Sequence, residues 1–479
     1  MPENTEPAPE TQKAVSEENG HAEEQPTEET NGVEKKEDSV KEKEEPVKEM
    51  KAVVLLSFGG YKGVKIMKKP EPTPQNGEVL IRVKACGLNF QDLITRLGAI
   101  DSPPKTPSVM GFECAGEIEA IGEEVEGFEI GDRVVALPEF KAWAEFCCVP
   151  AKFVYKLPNE ISFNDAAAIS MNFVVAHIIV NELLSLKPGK TVLVHSAAGG
   201  VGLAIVQLLR MIDGITIFGV CSKSKHEELK DVGIDHLIDR NDYVNEIRKI
   251  SSEGVDVVLD CMCGEDCNRG YGLLKPMGKY LLYGSANVVT GETKSFFSVA
   301  RSWWQVDKVS PIKLFDENKS FSGFNLRHLM YQQNGADYVR KAMNEVFNMF
   351  IDGKIKPKID STWAFEDICD AMQKMHDRKN IGKILLDPAQ EPKPKPPTPV
   401  KVKVKKEKKE KVTSPTKEEP PKAEGGESAE NGKAEENGKA EENGKAEENG
   451  KAEEEKPAAE NGTDKVEEVK VAEEVKAAA

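Results

Sequence analysis

Gly199, Gly200 and Gly202 are the residues whose type and spacing bear most directly on chemistry. They lie in Ser196-Ala197-Ala198-Gly199-Gly200-Val201-Gly202. The apolar run Thr191 to His195 precedes them, and Leu203, Val206, Leu209 and Arg210 follow at helical spacing. A buried strand, a glycine turn and a helix leave unpaired backbone N–H groups at the helix N-terminus. There the donors and the helix dipole both face an anion such as a pyrophosphate. Glycine lets the backbone approach that anion, so a side chain at Gly200 is expected to occupy the phosphate space. A bare glycine cluster would read as a tight turn; the strand and helix around it make Ser196, Ala198, Gly199, Gly200, Val201 and Gly202 candidate phosphate-binding residues.

A second set follows the next apolar run. In dinucleotide folds an acid after the second strand accepts from the ribose 2′-hydroxyl. Gly219-Val220-Cys221-Ser222-Lys223-Ser224-Lys225 holds no carboxylate before Glu227. Ser222, Lys225 and Arg240 offer hydrogen bonds and positive charge instead, which suits a 2′-phosphate and hence NADPH. Taken singly, each cation would read as a solvated surface charge.

These residues need elements to hold them. Strands are expected at Ile215 to Val220, Leu237 to Asp239, Val255 to Asp260 and Lys279 to Gly284, with a helix at His226 to Val232. That alternation implies βαβ units and a parallel sheet. Upstream, Lys51 to Leu55, the alternating Glu78 to Lys84, Gly111 to Ile118 and Gly131 to Val135 read as strands of an all-β half. Asn89 to Asp92 opens a short helix, and Ile161 to Leu184 carries the chain into the second domain as a helix. A last strand is expected at Gly382 to Leu386.

The ends differ in composition. Residues 1 to 50 hold 16 acidic side chains against 6 Lys, and residues 389 to 479 contain a Lys-rich block and three copies of Lys-Ala-Glu-Glu-Asn-Gly. Neither has the apolar surface to offset chain entropy, so both read as disordered tails. They supply most of the net charge of −17, which argues against a nucleic-acid surface on the folded part. Nine cysteines form no framework and suit reduced thiols in the cytoplasm. No signal peptide or transmembrane span is expected, since Ala166 to Val180 is broken by Asn172 and His177.

The stretch Gly189-Lys190, Leu193, Gly199-Gly200-x-Gly202, Gln207 and Arg210 resembles the quinone oxidoreductase branch of the medium-chain dehydrogenase/reductase superfamily. Lys84-Ala85-Cys86-Gly87-Leu88-Asn89-Phe90, Ser302-Trp303-Trp304-Gln305-Val306 and Asn380-Ile381-Gly382-Lys383 resemble its vesicle amine-transport subgroup. The resemblance spans about residues 50 to 388. It implies an α/β protein: a GroES-like β-barrel catalytic domain over 51–180 and a Rossmann doubly wound parallel sheet over 181–319, with 320–388 returning to the catalytic domain. Lys225 then falls where NADPH-dependent members carry a Lys for the 2′-phosphate, and Arg240 where several carry a Tyr. Tyr283-Gly284-Ser285 should present backbone groups to the carboxamide.

Asn89 and Asp92 match an Asn-x-x-Asp near the nicotinamide. Asn89 would donate to substrate or nicotinamide with Asp92 orienting it; a helix-capping pair explains the same spacing. Zinc-binding members would place ligands where Asn89 and Phe112 stand, and neither suits zinc, so no metal is expected. Cys147-Cys148 and Cys261-Met262-Cys263 with Cys267 read as free thiols, and His195 as a satisfied core or rim histidine. The implied activity is hydride transfer from NADPH to a quinone or activated carbonyl. Ile94, Ile100 and Val175 stand where the reductases often carry hydroxyl side chains, which points to a lipophilic small-molecule substrate. It leaves open a second role, as a nucleotide-binding factor peripheral to vesicle or other membranes. Trp303-Trp304 could face lipid, a partner or the pocket, and a homodimer is expected.

Overall fold

The computed structural model describes residues 48–289 and 310–394. The polar tails, apart from their inner edges at 48–50 and 389–394, lie outside those residues, as does Trp303-Trp304.

The first half is built from β1 (Glu49–Leu55), β2 (Val64–Pro70), β3 (Glu78–Leu88), β4 (Ser108–Val109), β5 (Cys114–Ile121), β6 (Arg133–Ala136), β7 (Phe146–Pro150) and β8 (Val154–Lys156). β2-β1-β4 form a small antiparallel sheet. β3, β5, β6 and β8 lie in a larger one that the C-terminal strands complete, with β7 paired to β3. β3 shows why the sequence settles this way. Val79, Ile81 and Val83 point into the core while Arg82 and Lys84 point out. From Ala85 to Leu88 both faces are covered, and alternation gives way to a continuous buried run. β3 then leads into α1 (Phe90–Arg96), with Asn89 at its N-cap.

α2 (Phe163–His177) joins the halves. Ser162 caps it by accepting from the Asp165 N–H, and the helix runs on as a π-helical turn to Leu184. Phe163–Leu184 is long and apolar enough to cross a membrane, yet most of it is buried in the core. A helix apolar on all sides is what a core position selects.

The second half is a parallel six-stranded sheet. Its strands are β9 (Thr191–His195), β10 (Thr216–Cys221), β11 (His236–Asp239), β12 (Val255–Asp260), β13 (Leu274–Leu282) and β14 (Ser320–Gly323), in the order β11-β10-β9-β12-β13-β14. Counted along the chain this is 3-2-1-4-5-6, the doubly wound dinucleotide arrangement. α3 (Gly200–Leu209), α4 (Tyr243–Ile250) and α5 (Glu265–Gly272) follow β9, β11 and β12. Two expectations need correcting. The boundary at 320 falls too early, because β14 extends the sheet beside β13 through Lys279↔Ser320 to Leu282↔Gly323. Its four residues are too few and too polar for a recognisable strand pattern. The helix expected at His226 to Val232 is reduced to short 3₁₀ turns at Lys223–Lys225 and Glu227–Leu229, with Gly233 in the left-handed region just after.

The chain returns to the first half through helices Leu326–Tyr331 and Ala336–Ile351, β15 (Ile359–Ala364), helix Ile368–His376 and β16 (Lys383–Asp387). β16 pairs with β3 at Leu385↔Gly87, and Gly382 bridges to Gly199. The final strand therefore touches the barrel and the glycine turn together.

Candidate nucleotide and catalytic site

A cavity of about 300 Å³ opens at the C-terminal ends of β9, β10, β11 and β12. This is the switch point of the sheet, where β9 pairs with β10 on one side and β12 on the other. Ser196, Ala198, Ser222, Lys225 and Arg240 line it, so five of the sequence-derived residues meet there. Arg378 joins them from the loop after the last helix. It escaped the sequence reading because nothing local marks a residue so far along the chain as a neighbour of β10.

The cations perturb one another. Burial, with the charges of Arg240 and Arg378 nearby, lowers the Lys225 ammonium pKa. Burial and Arg240 lower that of Arg378. Lys225 donates to the Asn380 carbonyl at 2.7 Å, which fixes its head at the cavity edge. On the opposite wall are Tyr243, Met262, Asp266 and His195. His195 is buried at the cavity rim, edge-on to Tyr243 at 4.9 Å; of the satisfied core or rim histidine expected, the rim position holds, while its Nε2 has no hydrogen-bond partner.

Beside the cavity, Gly199 caps α3, and Gly200, Val201 and Gly202 form its first turn. A Cβ on Gly200 would lie 2.3 Å from the Asn172 amide nitrogen of α2. On Gly202 it would lie 2.4 Å from the Ser196 carbonyl. Packing against the Asn172 side chain of α2 therefore disfavours a side chain at Gly200, and the backbone of the turn itself excludes one at Gly202. Tyr283, Gly284 and Ser285 follow β13 next to the end of β12. The Tyr283 N–H donates to the Asp260 carbonyl, and Gly284 packs on Cys261.

Of the two readings of Asn89 and Asp92, the backbone contact matches the helix-capping one. Asp92 accepts from the backbone N–H of Asn89 at 2.8 Å, the return half of a capping box. Burial pushes its carboxyl well above the ordinary range. The Asn89 side chain is held elsewhere: its amide nitrogen donates to Glu113 at 3.1 Å, and its oxygen accepts from Lys383 at 2.7 Å. Lys383 also donates to Glu113 at 2.5 Å, and Glu113 accepts further from the Ser170 hydroxyl and the Met171 N–H. Glu113 and Lys383 are two ordinary-looking residues in sequence, and only the meeting of β16 with β3 and α2 reveals them.

A GroES-like domain joined to a 3-2-1-4-5-6 sheet with its cavity at the switch point defines a medium-chain dehydrogenase/reductase. Residues 75–159 match the alcohol dehydrogenase GroES-like domain, and residues 232–386 match the zinc-binding dehydrogenase family. The human synaptic vesicle membrane protein VAT-1 homolog-like is 54% identical over 345 residues, covering 72% of this chain and 82% of that relative. A mycobacterial protein solved in complex with NADPH is 27% identical with a TM-score of 0.62, covering 71% of this chain and 100% of that one. A Pseudomonas syringae quinone oxidoreductase structure is 26% identical with a TM-score of 0.62, again covering 71% and 100%. The chain belongs to the VAT-1 homologue family of that oxidoreductase superfamily.

One matching family is described as zinc-binding, and the residues here do not fit zinc. Phe112 is buried against Phe140 at 5.1 Å and has no donor atom. Both ends of the Asn89 amide are engaged, and an ammonium already sits on Glu113. Among the described residues, no group of three or more His, Cys, Asp or Glu side chains could hold a metal.

Proposed function

We propose that the chain is a zinc-independent, NADPH-dependent oxidoreductase acting on a lipophilic quinone or activated carbonyl or enone. One observation carries the reading: Lys225, Arg240 and Arg378 converge on the switch-point cavity, and the loop after β10 lacks the acid that a free 2′-hydroxyl would call for. Asp266 is the one carboxylate among the lining residues, and Arg269 is paired with Glu265, so Lys225, Arg240 and Arg378 leave the cavity with an excess of positive charge that a doubly charged phosphate suits. The α3 N-terminus, with Ser196 and Ala198 beside it, would hold the pyrophosphate. Tyr283, Gly284 and Ser285 would offer backbone groups to the carboxamide. When bound, the nucleotide supplies the hydride. The protein supplies position: Asn89 is held rigid to orient the reactants, and the apolar Ile94, Ile100 and Val175 favour a lipophilic substrate.

The unaltered chain is expected to bind NADPH more tightly than NADH in a fluorescence titration. Arg378→Ala should weaken NADPH by about tenfold or more, the scale of one lost charge-assisted contact, and leave NADH nearly unchanged. Lys225→Ala with Arg240→Ala should do more. Equal affinity for the two nucleotides in the unaltered chain would remove the assignment.

NADPH consumption against a panel of quinones and enones tests the reaction. Relatives named as synaptic vesicle membrane proteins, and the donor-poor residues above, support a second reading. In it the chain is a nucleotide-binding factor peripheral to vesicle membranes, and intact NADPH binding without turnover on any acceptor would favour it. With either reading we propose a cytoplasmic homodimer.

A further inference from the structure

Lys383 is only 3% exposed and Glu113 not at all, so this ion pair sits in the core. A buried pair of this kind is weak evidence for stability, because removing both charges from water costs much of what their attraction returns. Its geometry shows what else it does. The Lys383 ammonium bonds at once to Glu113 and to the Asn89 side-chain oxygen, while Glu113 takes one hydrogen of the Asn89 amide. Both ends of that amide are thereby fixed, which leaves one N–H in a set direction. Gly87 is part of the arrangement, since a Cβ there would lie 1.9 Å from the Glu113 carboxylate.

Three of the residues just before Lys383 touch the cavity or the residues that line it. Arg378 lines it, and the Asn380 carbonyl accepts from Lys225. The Gly382 N–H donates to the Ala198 carbonyl at 2.9 Å. Gly382 is in the left-handed region, and a Cβ on it would lie 2.1 Å from the Lys358 carbonyl, so glycine is required at this crossing. A strap of six residues, 378–383, thus runs from the cation pocket past the glycine turn to the Asn89 amide.

We propose that Lys383 is a positioning residue, which with Glu113 locks the Asn89 amide and, through the strap, ties its setting to occupation of the nucleotide cavity. The second clause rests on the nucleotide reading above; the first does not.

The variant that tests it is Lys383→Met combined with Glu113→Gln, in the full chain. It removes both charges at similar volume and leaves no unpaired buried charge. Lys383→Met alone leaves the buried Glu113 carboxylate without its ammonium, so the double variant is the primary one, with Lys383→Arg as the conservative control. Asparagine-selective nitrogen-15 labelling reads the Asn89 side-chain amide directly. Its hydrogens should exchange at least tenfold more slowly than a free amide in the unaltered chain, slow further on adding NADPH, and lose that protection in the double variant. Lys383→Arg should restore part of it. With NADPH and 1,4-naphthoquinone as probes, the double variant should lose tenfold or more in kcat with KM and NADPH affinity within about threefold. A folded double variant whose Asn89 amide stays protected overturns the proposal, as does one with unaltered kcat. An unaltered chain that fails to bind NADPH overturns the nucleotide reading and the strap, while the amide exchange still decides the role of Lys383.

Discussion

Asp92 is where residue-level chemistry and sequence pattern part company. An Asn-x-x-Asp spacing can serve a reaction or a helix start, and the structure makes Asp92 a cap to the Asn89 backbone. Its other oxygen is buried without a partner, and burial raises its pKa well above the ordinary carboxyl value. The sign follows from linkage. The folded state holds this proton more tightly than the unfolded chain, so the contribution is full below the unfolded pKa of about 3.9 and is lost as pH rises toward the folded one. Asp92→Asn keeps an acceptor for the Asn89 N–H and cannot ionise. Relative to the unaltered chain, it should gain stability in urea unfolding as pH increases from 5 to 8, by up to about 1.4 kcal/mol for each unit of raised pKa crossed. Parallel pH curves for the two proteins would show that Asp92 ionises normally. Spacing made Asn89 and Asp92 visible in the sequence. Glu113, Lys383 and Arg378 were not visible, because each acquires its meaning from a contact made far along the chain.

Among the elements, α3 combines two demands in one turn. The strand, glycine turn and helix were legible from Thr191 to Leu209 because period, length and glycine placement agree. Which neighbour requires the glycine was not legible. Gly200 faces Asn172 on α2, and a side chain would displace that buried amide. Gly200→Val is therefore expected to cost stability on the order of 1–3 kcal/mol by overpacking, whether or not phosphate lies nearby. Pairing Gly200→Ala with Asn172→Ala separates the causes, since the second change clears the space that the added methyl needs. If helix packing is the sole reason for glycine, the pair should regain both native melting temperature and native NADPH affinity. If close approach of a phosphate also matters, melting should recover while affinity stays at least tenfold low. β14 marks the limit of such reading from the other side: four residues, Ser-Phe-Ser-Gly, become a strand only because β13 offers them an edge.

At the scale of the whole molecule, that edge raises the question of what lies beyond it. β14 ends the six-stranded sheet, and among the described residues no strand pairs with its outer side. Open strand edges are templates for pairing with another chain, and soluble proteins usually cover or charge them. Here charges such as Lys319 and Glu317 stand beside large exposed apolar side chains. Met277 on β13 is 79% exposed, and Ile312 and Phe315, one turn apart on helix Pro311–Glu317, are 71% and 81% exposed. The Met277 N–H donates to the Asn318 carbonyl, which places β13 against the end of that helix beside the open edge. Large side chains this exposed, grouped at one edge, suit an interface better than solvent. A two-fold pairing of β14 with β14 would join two sheets and cover the helix at the same time, and a two-fold axis makes one patch serve both partners. The full chain is therefore expected to sediment as a dimer at micromolar concentration. Phe315→Glu with Ile312→Lys should shift it to monomer without loss of secondary structure, since both side chains are exposed in the single chain and carry none of its core. NADPH affinity should change less than about threefold, because the cavity is lined from the other end of the sheet order, at β9 to β12. A dimer that survives both changes would place the contact elsewhere on the molecule, and an unaltered chain that sediments as a monomer would leave the exposed edge without the partner argued for it.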